Sequence, residues 1–81
     1  MMVNIHFFAR ARDLVGAASS TITLPDGSTV ADLRRHLAQI YPSLAALLAH
    51  SAFAVNNEYA DDNVVLQPQA DLALLPPVSG G

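Results

Sequence analysis

An apolar strand halted by two prolines constrains this chain most. Leu72-Ala73-Leu74-Leu75 has the short, continuous hydrophobic character of a buried strand, and Pro76-Pro77 follow it directly. Neither proline can donate a ladder hydrogen bond, so the strand ends there or runs along an edge. The reading is a folded body over residues 1–75 and a flexible tail over 76–81, Pro76-Pro77-Val78-Ser79-Gly80-Gly81. The prolines keep the exit stiff and extended, and the two glycines leave a thin end without side chains. Fully extended, the tail spans at most roughly 20 Å. That is long beside a domain whose expected radius of gyration is about 12 Å. Two readings of such a tail stand: a frayed terminus, as most chain ends are, or an arm carrying a free carboxylate into another protein. At ordinary glycine usage a closing Gly-Gly arises by chance in roughly 0.5% of chains. Its position just after a Pro-Pro strand stop favours the arm.

Upstream, Val3-Asn4-Ile5-His6-Phe7-Phe8-Ala9 alternates as a strand, with Val3, Ile5 and Phe7 on one face and Asn4, His6 and Phe8 on the other. Arg10 to Gly16 reads as a turn or single helical segment that tucks Leu14 and Val15 inward and stops at Gly16. Ser19 to Leu24 is a second strand, antiparallel to the first, with Ile22 and Leu24 towards the core; Pro25-Asp26-Gly27 turns the chain. The clearest helix begins at Ser28 or Thr29. Thr29-Val30-Ala31-Asp32 has the form of a capping box with Asp in place of Glu, and Asp32 suits the positive end of the helix dipole. Val30, Leu33, Leu37 and Ile40 form the apolar stripe, while Arg34, Arg35 and Gln39 face water. Pro42 ends the helix near Tyr41.

A shorter helical piece through Leu44, Leu47 and Leu48 leads to a strand from Phe53 that turns at Asn56-Asn57, where asparagine accepts positive φ. Val64-Val65-Leu66 returns to the core, and Gln67 to Asp71 turns into the final strand. The most apolar strands come first and last, which suits a central parallel pair in a mixed sheet. One main helix covers one face. This is the layout of an α+β domain of the ubiquitin-like β-grasp kind.

Composition removes most chemistry. The chain has 81 residues, one domain's worth, and its net charge of -3 comes with only four basic residues, Arg10, Arg12, Arg34 and Arg35. That is too few for a surface that tracks phosphates, so nucleic acid is not an expected partner. No apolar run reaches membrane-span length and no basic region precedes the first apolar residues, so a soluble, cytoplasmic chain without a membrane partner is expected. Cysteine and lysine are both absent, which leaves no thiolate and no side-chain amine nucleophile. His6, His36 and His50 lack the spacing of metal ligands, so no metal site is expected. Asp61-Asp62 reads as a turn rather than an acid/base pair, and no glycine-rich loop offers to hold a phosphate. No permanently bound cofactor is expected. Arg10 and Arg12 flank the end of the first strand; they either greet an anion or acidic partner or are simply solvated beside Asp13.

One reactive group remains, the carboxylate of Gly81. Ionised at neutral pH, with a reference pKa of about 3.5, it is a poor electrophile until activated as an acyl phosphate or adenylate. Once activated, it can be taken by an amine or by sulfur. The glycines then let a narrow channel close around the reacting carbonyl. If Val3, Ile5, Phe7, Leu72 and Leu74 pack under the helix, Phe8, Ala73 and Leu75 must point away from it. An apolar patch beside the root of the tail follows, of the kind that marks a binding surface, unless the segment Pro42 to His50 covers it.

Phe7-Phe8-Ala9-Arg10-Ala11-Arg12-Asp13-Leu14-Val15-Gly16 resembles the opening of the small, sulfur-carrying subunit of molybdopterin synthase, in the MoaD/ThiS family. Thr29-Val30-Ala31-Asp32-Leu33-Arg34 is similar to that family's helix start, Ala54-Val55-Asn56 to its middle strand, and Leu74 through Gly81 to its tail. The likeness spans essentially the whole chain. It implies a carrier in molybdenum cofactor biosynthesis whose terminal glycine is adenylated by an ATP-dependent, E1-like activating enzyme. A sulfur donor then converts it to a thiocarboxylate. The tail next enters the large synthase subunit and delivers sulfur to cyclic pyranopterin monophosphate, within a heterotetramer holding two small subunits. ATP would belong to the activating enzyme and the catalytic residues to the large subunit, which fits the missing lysine.

Position by position, the resemblance makes Gly81 the bearer of the adenylate and thiocarboxylate, and Gly80 the residue that passes the channel. Ser79, Val78, Pro77 and Pro76 would complete the inserting tail. Phe8 and Leu75 would be apolar partner contacts, Leu75 standing where an aromatic residue often occurs in the family. Arg12 matches a position often basic there. Other readings are a carrier of the thiamin type, against which the Phe-Phe-Ala opening and Pro-Pro-Val ending argue, and a ubiquitin-like modifier that forms isopeptide bonds to lysines. An interaction module with an inert tail would explain the patch but not the glycines.

Overall fold

The computed structural model describes residues 1–77; Val78, Ser79, Gly80 and Gly81, four of the tail residues named above, lie outside the described residues. Strand β1 (Met2–Phe7) alternates strictly, with Val3, Ile5 and Phe7 buried and the residues between them exposed. It pairs antiparallel with β2 (Ser19–Thr23) and parallel with the last strand, so the two most apolar segments lie side by side. Between them in sequence come α1 (Ala9–Val15), α2 (Val30–Ile40), a 3-10 turn (Pro42–Leu44), α3 (Ala45–Leu48), β3 (Ala52–Val55) and β4 (Glu58–Ala60), before β5 (Asp71–Leu75). The five-stranded mixed sheet runs β2-β1-β5-β3-β4. The helices lie against one face, where Val30, Leu33, Leu37, Leu44 and Leu48 join Ile5, Phe7, Phe53, Leu72 and Leu74 in a single core.

Local chemistry sets the element ends. Gly16 closes α1 at φ 80°, left-handed geometry that glycine adopts without a Cβ penalty, and donates its N–H to the Arg12 carbonyl at 2.9 Å. Asn56 and Asn57 take φ 49° and 71°, so a two-residue hairpin sets Val55 opposite Glu58 and Ala54 opposite Tyr59. At the start of α2 the capping box is complete. The Asp32 N–H donates to the Thr29 hydroxyl at 3.3 Å, and the Asp32 carboxylate accepts the Thr29 N–H at 2.9 Å.

Several expectations need correction. Phe8 does not belong to β1; it caps the start of α1 and is half exposed. Ile40 leaves the core stripe and is 43% exposed. The stripe continues instead through Tyr41, four residues after Leu37, whose ring meets Phe7 edge-on at 5.8 Å. Leu14 and Val15 are only partly buried, and the fully buried residue of α1 is Ala11. Val64 and Val65 stay exposed because the backbone there pairs with the entry to α2: Val30 N–H reaches the Val64 carbonyl at 3.0 Å and Leu66 N–H the Ser28 carbonyl at 2.8 Å. Only Leu66 of that run is buried.

Arg34 does not simply face water. Its guanidinium lies over the Phe53 ring at 5.0 Å, donates to the Leu48 and Ser51 carbonyls, and meets Asp62 at 2.8 Å. The Leu48 carbonyl at the end of α3 accepts only a 3.3 Å bond from the Ser51 N–H, and Arg34, one turn into α2, adds a donor to it and to the Ser51 carbonyl, tying α2, α3 and β3 together.

Replacing Thr29 by Ala is expected to cost about 1 kcal/mol, the usual worth of an N-cap hydroxyl, read as a lower urea midpoint. The Thr29 N–H bond to Asp32, then its hydroxyl and the Arg35 guanidinium, outweigh partial desolvation and hold the Asp32 carboxyl below its ordinary value. A depressed folded pKa stabilises fully above the unfolded value of about 3.9 and fades as pH falls through the lower, folded one. The stability gap between the parent chain and Asp32→Asn should therefore be constant near neutrality and shrink below that point. A gap unchanged from pH 7 into the strongly acid range would contradict this account of the cap.

Candidate partner-docking face and tail exit

Because β1 and β5 run parallel with Phe7 opposite Leu74, the residues that follow, Phe8 and Leu75, lie at the same end of the sheet. The tail starts there. Side chains alternate across a strand, so the face away from the helices is read directly from the register. One row crosses all five strands: Ser19, His6, Ala73, Ala54 and Tyr59. Towards the tail lie Leu75, opposite Ala52, and Phe8. Away from it lie Thr21, Asn4 and Asp71.

The face is therefore divided. From the middle row to the tail end it is apolar on the β5-β3-β4 side: Phe8 is 49% exposed and Tyr59 80%, with Ala73, Ala54 and Leu75 partly buried. At the far end a polar chain satisfies itself: Thr21 donates to Asn4 at 3.2 Å, Asn4 to Asp71 at 3.4 Å, and Asp71 lies 3.8 Å from His6. A groove of about 280 Å³ joins the two halves, with His6, Phe8, Ala54, Asp71 and Ala73 along it. No residue of 42–50 lines it. That segment packs Leu44 and Leu48 into the core from the helix side, so the alternative in which it covers the patch is excluded.

Phe8 keeps extended geometry, φ -125° and ψ 155°, so it continues the alternation of β1 and faces the side opposite the buried Phe7. Ala9 takes φ 51°, the left-handed region that an alanine enters at a cost of about 1–2 kcal/mol. This turn opens α1 immediately after Phe8, and Arg10 follows on the helix side. Strain of this kind next to an exposed aromatic is typical of a binding site.

The expected site residues fall into three groups. Phe8, Leu75, Pro76 and Pro77 gather at one end of the sheet. Arg12 is exposed on α1 and lines neither the open-face groove nor the second one described below. Val78, Ser79, Gly80 and Gly81 are outside the described residues. Tyr59, the most exposed large hydrophobic residue among those described, was missed in the sequence. The signal was available, since a two-residue Asn-Asn hairpin forces Tyr59 opposite Ala54 and onto the open face. Among the described residues, no three His, Asp or Glu side chains converge as a metal site, and no helix is long and apolar enough to cross a membrane.

Comparison with known proteins places this β-grasp sheet in a family. The profile of the ThiS family matches residues 5–81. The chain belongs to the ThiS family. It is 37% identical over 79 residues to the molybdopterin synthase sulfur carrier subunit of Arabidopsis thaliana, covering 98% of this chain and 82% of that one. Among solved structures, SAMP1 from Haloferax volcanii superposes with a TM-score of 0.88 at 25% identity over the full length of both chains. A complex of subunits 1 and 2 of the molybdopterin-converting factor from Helicobacter pylori 26695 contains a chain that superposes at 0.72, 30% identical, again over both full lengths. The ubiquitin-like β-grasp layout read from the sequence is thus the observed one, and the family match leaves out only residues 1–4.

In this ThiS-family chain the turn at Ala9 is a sensitive point. A β-branched residue at φ 51° is a strong outlier, so Ala9→Val should lower the melting temperature by several degrees. Ala9→Gly, whose strain relief is offset by a freer unfolded chain, should leave it nearly unchanged. Equal melting temperatures for all three chains would show that the left-handed turn is not maintained in solution.

Proposed function

We propose that this chain is the sulfur-carrying small subunit of a molybdopterin synthase, with the carboxylate of Gly81 as its reactive group. The observation that carries the reading is the coincidence of the tail's exit with the apolar half of the open face. A partner that docks on Phe8, Leu75, Ala73 and Tyr59 receives the tail at the edge of its own contact surface. The naming of full-length relatives as sulfur carrier subunits supports the same reading, as does the two-subunit complex formed by the structural neighbour.

In this proposal an ATP-dependent activating enzyme supplies the first step. The Gly81 carboxylate attacks the α-phosphorus of ATP, pyrophosphate leaves, and an acyl adenylate forms. Sulfur from a donor displaces AMP to leave a thiocarboxylate. The large synthase subunit then takes the tail, with Pro76 and Pro77 stiffening the entry and Val78, Ser79 and Gly80 threading the channel. The thiocarboxylate sulfur attacks a carbon of cyclic pyranopterin monophosphate and displaces an oxygen substituent, and water then cleaves the acyl–sulfur bond, so that sulfur stays on the pterin and Gly81 returns as a carboxylate. One carrier delivers one sulfur and a dithiolene holds two, so two small subunits per functional synthase are required, as in a heterotetramer. ATP stays with the activating enzyme and this chain holds no cofactor of its own. Arg12 is assigned to partner contact on α1. The compartment proposed is the cytoplasm, whose reducing milieu suits a thiocarboxylate.

The competing reading, a modifier attached to lysines, uses the same activated glycine. With no lysine in the chain, such a modifier could not build lysine-linked chains of itself.

Reconstitution with the large subunit, activating enzyme, ATP, sulfur donor and pterin tests the assignment. Removing Gly81, or adding one residue after it, should abolish pterin sulfuration while leaving the melting temperature unchanged. Sulfuration by the Gly81-deleted chain would overturn the role given to that residue. Separately, Phe8→Asp or Leu75→Asp should weaken binding of the large subunit by about tenfold or more, as expected for a central apolar contact. Unchanged affinity would place the interface elsewhere.

A further inference from the structure

A second groove adjoins the tail on the side opposite the open face. It measures about 270 Å³ and lies between α1 and α3, with Leu14, Ala46 and Leu47 as its apolar lining and Arg10, His50 and Pro77 also contributing. Pro77 is the first part of the tail beyond the strand and its neighbouring proline, so this groove and the open face flank the same exit.

The charge of the groove runs against that of the molecule. The net charge is -3 and there are four arginines. Arg34 is paired with Asp62, and Arg35 with Asp32. Arg10 forms no ion pair among the described residues; it is exposed and lines this groove. Among the described residues, no carboxylate lines the groove. A cation held over an apolar pocket in an acidic protein favours an acidic visitor, both by direct pairing and by steering at a distance.

We infer that this groove is a second docking point for the large subunit, and that it receives an acidic segment of that subunit carrying a small apolar side chain. The inference rests on the proposed function and adds the chemistry of the partner. A channel that swallows the tail must meet the surface on both sides of its root. The open face meets it with apolar side chains, and the groove meets it with the positive charge of Arg10. The acidic side chain pairs with Arg10 while the apolar one fills the space beside Leu14 and Leu47. Two contacts of different character on either side of the tail fix its rotation as well as its depth.

The test uses the full chain and the purified large subunit, with affinity measured by calorimetry at low and moderate salt. Ala46 is exposed on α3 and lines the groove, so Ala46→Glu and Ala46→Lys add side chains of similar length and opposite sign. Ala46→Glu and Arg10→Glu should each weaken binding about tenfold or more, with a flatter salt dependence, while Ala46→Lys holds or improves it. Melting temperatures equal to the parent's show that the fold is intact. Equal weakening by Ala46→Glu and Ala46→Lys would mean that the groove is occupied without regard to charge, and overturns the acidic partner. No effect from any of the three, with Phe8→Asp still disruptive, would overturn the groove and leave the proposed function standing. A parent chain that does not bind the large subunit would overturn both.

Discussion

The parallel ladder between β1 and β5 carries the architecture. It joins the first and last strands, buries Ile5 and Phe7 beside Leu72 and Leu74, and fixes by register where each chain leaves the sheet. Each such buried side chain contributes on the order of 1.5–3 kcal/mol from area removed from water, and pairing termini about seventy residues apart is what holds the whole length in one core. A slip of one residue would turn Leu72 and Leu74 to the solvent face and bring Ala73 and Leu75 in. The ladder therefore determines stability and the position of the tail's root in a single act.

From that ladder the two surfaces follow. Helices cover one face because Val3, Ile5 and Phe7 point there. The other face is left open, and the same alternation places Ala73 and Leu75 on it next to the exit. At its far end Thr21, Asn4, Asp71 and His6 satisfy one another, which leaves the apolar half unmatched and available. The left-handed Ala9 separates Phe8 from Arg10, giving the open face an aromatic and the helix side a cation within a few residues. Binding chemistry thus gathers around the exit, while the body elsewhere is occupied with packing.

Much of this was legible in the chain, for identifiable reasons. Strict alternation in β1, the Asn-Asn hairpin, the Thr29 capping box and the glycine stop at Gly16 are local signals, and each resolved as read. The misreadings are all tertiary. Ile40 and Tyr41 both suit a helical stripe, and only the position of Phe7 decides for Tyr41. Arg34 looks like a surface residue until Phe53, Asp62 and the Leu48 and Ser51 carbonyls assemble around it. Val64 and Val65 have the composition of a core strand, yet their backbone is claimed by the entry to α2. At the site, Phe8 and Leu75 followed from periodicity. The assignment of Phe8 to the open face survived although Phe8 itself belongs to a helix cap, because the cap residue keeps the extended backbone of the strand before it. The Arg10 groove could not be foreseen, since it needs the separation of α1 and α3.

The central claim is that the folded body serves to present one terminal carbonyl for sulfur chemistry. Intact mass spectrometry of the full chain, after incubation with activating enzyme, ATP and a sulfur donor, tests it most directly. The account predicts a gain equal to the difference between sulfur and oxygen, located at Gly81 and absent when ATP is withheld. An unchanged mass under those conditions, or conjugation of Gly81 to lysines of other proteins in place of the sulfur gain, would contradict it.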